Sequence, residues 1–135
     1  MIKLKIFETN YSDIYFDDDE GVLIARWSGF LQPEQVKNGC RAIADYVTKN
    51  QIKRYLSDHT ELKALSNQVR DYLIREWFPE IENLGMEKIA VLVSQNAFPK
   101  ASAEKIVNET QIGRMKILTC SSRHDCLEWL RQNEH

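Results

Sequence analysis

The stretch from Lys53 to Pro79, KRYLSDHTELKALSNQVRDYLIREWFP, decides the fold of this chain. Its first residues, Arg54 to Asp58, predict a short strand, and His59 to Leu65 predict a polar loop. A long helix is expected from Ser66, because a serine hydroxyl oxygen can accept from an otherwise unpaired backbone N–H at a helix start. The remaining strands and helices are then expected to pack around this unit.

The predicted helix after Ser66 carries a wide apolar surface. At about 100° per residue, its apolar side chains cover an arc of roughly 180°, whereas a helix lying on a sheet needs little more than about 100°. The surplus predicts a dimer contact, a partner surface or the wall of a lipid-sized pocket. Alternatively, Pro79 stops or kinks the helix and resets the arc, since proline lacks an N–H and crowds the preceding turn. The side chains concerned are Val69, Tyr72, Leu73, Ile74, Trp77, Phe78 and Ile81.

Length and composition favour a single domain spanning residues 1–135. Hydrophobic residues make up 43% of the chain, which is enough for a core, and charged residues make up 28%. The formal charge of −2 and the lack of a long basic run give nucleic-acid binding no electrostatic support. The apolar runs are far shorter than the ~20 residues of a membrane-spanning helix.

The cysteine pattern predicts a reduced, cytoplasmic chain. Cys40, Cys120 and Cys126 are odd in number, and no secretory pattern precedes them. Cys40 lies in a helical apolar stripe, so we expect a small core residue. Cys120, His124 and Cys126 match no common zinc spacing, and no glycine-rich loop follows a strand. We therefore predict neither a metal nor a cofactor.

The order of predicted elements is βββαβαβαβα. Alternating strands and helices favour right-handed crossovers, so we expect a mixed, mostly parallel sheet covered by helices, an α/β fold. A loop is expected over Ser94 to Pro99, with Ser102 capping the helix that follows. Outside the deciding stretch, the expected strands are Ile2–Ile6, Ile14–Phe16, Val22–Trp27, Ile89–Val93 and Met115–Thr119, and the expected helices are Pro33–Asn50, a segment with Ile106 and Val107, and one begun by Ser122.

No catalytic constellation is apparent. Serine, histidine and aspartate all occur between Ser57 and Ser66, but a triad needs them to converge in space. The adjacent residues Asp58 and His59 point in different directions on most backbones, and no glycine-rich elbow presents a nucleophile. We therefore expect a non-enzymatic protein.

Four landmarks carry a resemblance to a known family. They are Ala25–Leu31, Tyr55–Asp58, Lys88–Val93 and Cys126–Leu130. With the element order, they resemble the SpoIIAA-like branch of the STAS domains, relatives of anti-sigma-factor antagonists often grouped with the CRAL-TRIO (SEC14-like) lipid-binding fold. The landmarks are mostly core positions, so the resemblance implies a fold more than an activity.

In the antagonists, a strand ends in an Asp-Ser-x-Gly type of loop, and a serine or threonine at the start of the next helix is phosphorylated by a partner kinase. The nearest matches here are Asp58 and Ser66, but the Asp-Ser-x-Gly sequence is absent and the predicted loop is longer. Ser66 is therefore interpreted either as a plain helix cap or as a phosphorylation site, where phosphate would meet free N–H groups.

We expect a STAS-like regulatory or protein-interaction module, possible partners being another protein and a second copy in a homodimer. Its surface would be the 58–66 loop and the exposed side of the following helix, so a charge at Ile74 or Phe78 should leave folding intact. The alternative is a carrier of an apolar, lipid-like molecule, in a cavity lined by residues such as Trp77, Phe78 and Phe98. The candidate binding residues are Asp58, His59, Thr60, Ser66, Ile74, Trp77 and Phe78.

Overall fold

A computed structural model describes residues 3–94 and 97–132, without the side chains of residues 97–99. Within these residues three strands are followed by alternating helices and strands, six strands and five α-helices in all, with one π-helical turn, Leu73–Trp77, between α2 and α3. The strands are β1 (Lys3–Glu8), β2 (Ser12–Asp17), β3 (Val22–Leu31), β4 (Arg54–Leu65), β5 (Lys88–Leu92) and β6 (Lys116–Cys120). The α-helices are α1 (Pro33–Asn50), α2 (Asn67–Tyr72), α3 (Phe78–Asn83), α4 (Ala97–Glu109) and α5 (Arg123–Arg131).

The strands form one sheet in their chain order, from β1 to β6. β1, β2 and β3 pair in antiparallel fashion, whereas β3, β4, β5 and β6 are parallel. Each parallel connection passes through a helix, as parallel strands require. This confirms the predicted mixed, mostly parallel α/β sheet.

The two faces of the sheet are covered unequally. α1, α2, α3 and α4 contribute to a large apolar core on one face, and α5 covers a smaller cluster on the other. Successive side chains of β4 point to opposite faces of the sheet, so Tyr55 packs in the large core and Leu56 in the small cluster. No helix within the described residues is long and apolar enough to cross a membrane.

β3 and β4 extend further than the sequence predicts. The expected loop over residues 59–65 is wrong, because this segment continues β4 and pairs with β3 as far as Leu31 and Leu65. Two register shifts interrupt the pairing, and Gly29 takes a φ of 76°, which glycine adopts readily. Leu62 and Leu65 are buried. Their burial stabilises a strand whose other residues are largely polar.

Pro79 neither stops nor breaks the long helix. The π-helical turn precedes it, and the N–H of Phe78 donates to the carbonyl of Leu73, five residues back. Such a turn accommodates a residue that cannot follow the α-helical bonding pattern. The apolar arc is reset at this point, and Trp77, Phe78 and Ile81 are all buried. The wide arc therefore results mainly from packing in the core.

α4 begins earlier than expected. The predicted loop over Ser94 to Pro99 is wrong for residues 97–99, which already belong to the helix, while residues 95 and 96 lie outside the described residues. Proline is tolerated in the first turn of a helix, because the N–H groups there have no intrahelical partner. Ser102 consequently lies inside α4 and does not cap it.

The cysteines differ from the expected reduced state. Cys40 is a free, buried thiol, as predicted for a core residue. Cys120 and Cys126 instead form a disulfide, with their Cα atoms 5.7 Å apart. The turn between β6 and α5 brings the two residues together. Ser122 caps α5 by accepting from the N–H of Asp125, as its sequence pattern predicts.

Candidate functional site

Three polar side chains on one face of β4 form a buried chain of hydrogen bonds. The hydroxyl of Tyr55 donates to the Oγ of Ser57 at 3.3 Å, and this Oγ lies 3.0 Å from the Nε2 of His59. All three residues are buried. The period-2 alternation of a strand explains why residues 55, 57 and 59 share a face.

These side chains border a small internal cavity between β4 and the helices. The cavity measures about 30 Å³. That volume is close to the share of a single water molecule in liquid water. The wall includes Trp27 of β3 and residues of three helices and of the π-helical turn, among them Cys40, Leu73, Trp77, Phe78, Ala103 and Ile106.

His59 presents an unsatisfied nitrogen in this apolar setting. Its Nδ1 is buried and has no hydrogen-bond partner within residues 3–94 and 97–132. The Ser57 Oγ accepts from Tyr55 and can either donate its own hydrogen to the Nε2 of His59 or accept from it, depending on the tautomer of the imidazole. Burial lowers the pKa of His59 to about 4, against the smaller opposing effect of Asp58. The imidazole is therefore neutral at pH 7.

The other reactive groups beside the cavity are held in their neutral forms. Burial raises the pKa of the Cys40 thiol well above its ordinary value, and burial likewise raises the pKa of the Tyr55 hydroxyl. A protonated thiol is a poor nucleophile. The arrangement therefore resembles a buried polar network more than an activated catalytic group.

Asp58 and His59 lie on opposite faces of β4. The Oδ1 of Asp58 accepts from the backbone N–H of Thr60 at 2.9 Å and from its hydroxyl at 2.6 Å. These bonds fix the backbone at the first register shift between β3 and β4. Asp58 is buried and Thr60 is exposed. Of these three neighbours, only Thr60 is accessible to a partner.

Ser66 is the exposed cap of α2. Its Oγ accepts from the N–H of Val69 at 3.2 Å, which confirms the predicted capping role. The guanidinium of Arg70 lies close by, donating to the carbonyl of Leu65 at 2.9 Å and to the Oγ of Ser102 at 3.3 Å. A positive charge thus lies within one turn of the Ser66 hydroxyl.

The remaining predicted binding residues belong to the interior. Trp77 and Phe78 are buried, and Ile74 is half-buried against the large core. The expectation that a charge at Phe78 would leave folding intact is wrong, because this side chain packs in the core and lines the cavity. The side chain of Phe98 lies outside the described residues. A cavity does lie where the carrier hypothesis predicts it, but a lipid tail does not fit in about 30 Å³.

Sequence reasoning missed an exposed aromatic residue at the same end of the sheet. Phe30 of β3 is 69% exposed and pairs with Ala64 of β4. β5 pairs with β4 only as far as Asp58, so the last residues of β3 and β4 extend past it as an arm. Phe30 lies beyond Trp27, where the expected strand ends in the sequence analysis.

Comparisons with solved structures address the fold directly. An uncharacterized protein of the DUF3478 family with a SpoIIAA-like fold, from Shewanella loihica PV-4, aligns with a TM-score of 0.60 over 92% of this chain and 98% of its own, at 15% identity. The chain has a SpoIIAA-like fold. This confirms the SpoIIAA-like fold that the resemblance implies.

Two structures of SiaC from Pseudomonas aeruginosa also align with this SpoIIAA-like domain. One has 16% identity and covers 89% of this chain and 100% of its own, and the apo form has 17% identity and covers 88% and 98%. Both alignments have a TM-score of 0.50. No family model and no curated protein sequence matches the chain. At these identities the likeness concerns the fold alone.

Proposed function

We propose that this SpoIIAA-like domain is a non-enzymatic regulatory module that binds a partner protein at the carboxyl end of its parallel strands. The proposed docking surface, called the arm surface, comprises Phe30, Thr60, Glu61, Lys63 and Ser66, all of which are exposed. The observation that carries the proposal is the exposure of Phe30, at 69%, on an arm that extends beyond β5. Exposed aromatic side chains are frequent anchors of protein interfaces.

The arm that carries the arm surface is anchored to the rest of the protein. Leu62 and Leu65 anchor the arm in the core, and Asp58 holds the backbone of Thr60. A partner would therefore bind a surface that is already ordered, which reduces the entropy lost on association. The polar residues around Phe30 correspond to the polar rim of a typical interface.

The proposal includes Ser66 as a regulatory phosphorylation site. Its hydroxyl is exposed and lies at the start of α2, with Arg70 one turn away. A phosphate at this position can be bound by the guanidinium and by the unpaired N–H groups of the first turn. Its charge would also change the electrostatics of the arm surface next to Lys63.

Purification from the native cells tests the docking surface. We expect a partner protein to co-purify in fixed proportion with the wild-type chain and to be lost from Phe30→Ser. Leu4→Ser is the matched control, because Leu4 is 49% exposed but lies on β1, an edge strand that does not pair with β3 or β4. Equal retention of the partner by both variants, or no partner with the wild type, would contradict the proposal.

Phosphorylation at Ser66 is tested separately. Peptide mass spectrometry of the native protein should locate a phosphate on Ser66, and Ser66→Asp should change partner affinity while Ser66→Ala retains the unphosphorylated behaviour. Ser122 offers a control, since it caps α5 in the same way. The proposed regulation by phosphorylation would be contradicted if neither serine carried phosphate and if Ser66→Asp and Ser66→Ala bound the partner as the wild type does.

We also propose that residues 1–135 form a single domain that acts in the cytoplasm as a homodimer. Native mass spectrometry distinguishes the dimer from a monomer. The same spectrum examines the alternative function, a carrier of an apolar ligand, for which the cavity beside His59 would have to widen well beyond about 30 Å³. A lipid-sized mass adduct would favour the carrier, and a spectrum without an adduct would favour the interaction module.

A further inference from the structure

The Cys120–Cys126 disulfide joins the last residue of β6 to the first turn of α5. Within the described residues β6 pairs only with β5, so it forms an edge of the sheet. Cys120 ends this edge strand and is half-buried, whereas Cys126 is 0% exposed in the small cluster. The two cysteines therefore differ in their accessibility to a molecule in solution.

The disulfide closes a short loop, and the fold has other means of holding α5. The two cysteines are six positions apart. The entropy that a disulfide removes from the unfolded chain grows with the length of the loop, so a short loop contributes at the low end of the range. Ser122 caps α5, and Leu130 is 0% exposed in the small cluster. We therefore expect α5 to remain folded on the sheet when the disulfide is reduced.

The two ends of α5 depend on the disulfide to different degrees. At the carboxyl end, the Nζ of Lys88 donates to the carbonyls of Trp129 at 2.9 Å and Gln132 at 2.6 Å. At the amino end, the guanidinium of Arg123 donates to the hydroxyl of Tyr15 at 3.1 Å, and the disulfide supplies the covalent link to β6. Reduction should therefore loosen the amino end of α5 more than its carboxyl end.

We propose that Cys120 and Cys126 form a reversible thiol–disulfide switch that exchanges with small thiols of the glutathione class. In the reducing direction, a small-molecule thiolate attacks the Sγ of Cys120, forms a mixed disulfide and breaks the bond to Cys126. The Sγ of Cys126 leaves as a thiolate and takes a proton from water. A second small thiolate attacks the small-molecule sulfur of the mixed disulfide, and the Sγ of Cys120 leaves and is protonated in turn. Two small thiols thus become one small disulfide as the protein disulfide gains two electrons and two protons, and oxidation is the reverse.

The positions of the three cysteines explain why this pair would be the switch. Attack is directed to Cys120, because it is the more accessible member of the pair. Cys40 takes no part, since it is a free thiol buried in the large core on the other face of the sheet. In a reducing cytoplasm, the disulfides that do form are usually transient and redox-sensing. The switch does not require the partner proposed for the arm surface.

Equilibration of the whole chain with mixtures of reduced and oxidised glutathione tests the switch. Alkylation of the free thiols and peptide mass spectrometry then report the state of each cysteine. We expect Cys120 and Cys126 to change together, with a midpoint inside the titration, while Cys40 stays a free thiol at every ratio and serves as the internal control. A disulfide that persists in reduced glutathione alone, or two free thiols in oxidised glutathione alone, would overturn the proposal.

Single substitutions show which cysteine is attacked. Cys126→Ser should accumulate a mixed disulfide between Cys120 and glutathione, because the cysteine that would displace glutathione is missing. Cys120→Ser should carry at least about tenfold less adduct, since the remaining Cys126 is fully buried. Equal amounts of adduct in the two variants would contradict attack at Cys120.

Hydrogen exchange of the wild type provides a measurement that does not depend on the folding of a variant. After reduction, the amides of residues 125–127 should exchange about tenfold faster or more, because they lie at the end of α5 that the disulfide holds. The amides of residues 129–131 should change by less than about twofold, since Lys88 still holds that end. Unchanged exchange, or the same acceleration along the whole of α5, would overturn the proposed effect of the switch.

Discussion

The two ends of β4 differ in how the sheet supports them. At the amino end, residues 54–58 pair in unbroken register with β5, and β3 supports the other side. At the carboxyl end, residues 59–65 pair only with β3 among the described strands, and two register shifts interrupt the pairing. At the first end, Arg54 aligns with Lys88 of β5, and Lys88 aligns with Lys116 of β6. The second end carries the buried His59 and the arm surface.

This difference shows how register controls the kind of site that a strand can form. Unbroken pairing places equivalent side chains side by side, so charges from distant parts of the sequence align. A bulge instead changes the direction of the strand and the orientation of its side chains. The irregular end therefore combines an enclosed polar group with an exposed aromatic residue. Four predictions test the comparison, in order of decreasing effect.

The largest effect is expected at the wall of the cavity. Trp77→Ala should lower the free energy of unfolding by about 3–5 kcal/mol, because it removes a large side chain that is 2% exposed. Urea denaturation measures the change. Glu76→Ala is the control from the same π-helical turn, and its exposed side chain should contribute within about 0.5 kcal/mol. Similar losses for both variants would contradict the packing of Trp77 in the core beside the carboxyl end of β4.

The second effect depends on pH. The pKa of His59 is lowered from 6.5 to about 4 by burial, so the unfolded chain binds a proton between these values and the folded chain does not. The contribution of His59 to the free energy of unfolding is therefore fully present above pH 6.5. It is lost as the pH falls, by about 3 kcal/mol between pH 7 and pH 4.

Urea denaturation at several pH values isolates this contribution. His59→Gln should lack it, while His124→Gln, which changes an exposed histidine of α5, should retain it. The same pH dependence in the wild type and His59→Gln would show that the buried imidazole is not responsible.

The third effect concerns the contact between α1 and Trp27. A Cβ added at Gly39 would lie 2.5 Å from the ring of Trp27, which borders the cavity. Gly39→Ala should therefore lower the free energy of unfolding by about 1–2 kcal/mol, although alanine favours a helix. Asn38→Ala, at an exposed position of α1, is the control. A gain in thermal stability for Gly39→Ala would show that the ring moves freely into the cavity.

The smallest effect is expected at the cap of α2. Ser66→Ala should lower the free energy of unfolding by about 1 kcal/mol, because the N–H of Val69 loses its acceptor. Ser66→Asp keeps an acceptor at this position and should remain close to the wild type. Thermal denaturation of the two variants provides the measurement. If Ser66→Asp is as unstable as Ser66→Ala, the hydroxyl contributes by a route other than capping.

Parts of the candidate site were predictable because their signals are local. Ser66 caps α2 as its residue type predicts, and α1 spans Pro33–Asn50 as its apolar periodicity predicts. Tyr55 and Ser57 were not among the predicted site residues, because the hydrogen-bonded chain from Tyr55 through Ser57 to His59 depends on a strand that continues past Asp58. The apolar residues Leu62 and Leu65 within this polar segment were the weak signal for that continuation, and the register shift between them explains why they lack the usual spacing of two.

The sequence by itself determined the order of strands and helices and the mixed sheet, and the SpoIIAA-like fold was implied by its resemblance to known proteins. The order and the mixed sheet follow from apolar periodicity, helix caps and turn residues, which act over a few neighbouring positions. Only the tertiary structure decided the length of β3 and β4, the Cys120–Cys126 disulfide and the row formed by Arg54, Lys88 and Lys116. The reason is that these features depend on strand register and on contacts between distant segments, which no local pattern contains.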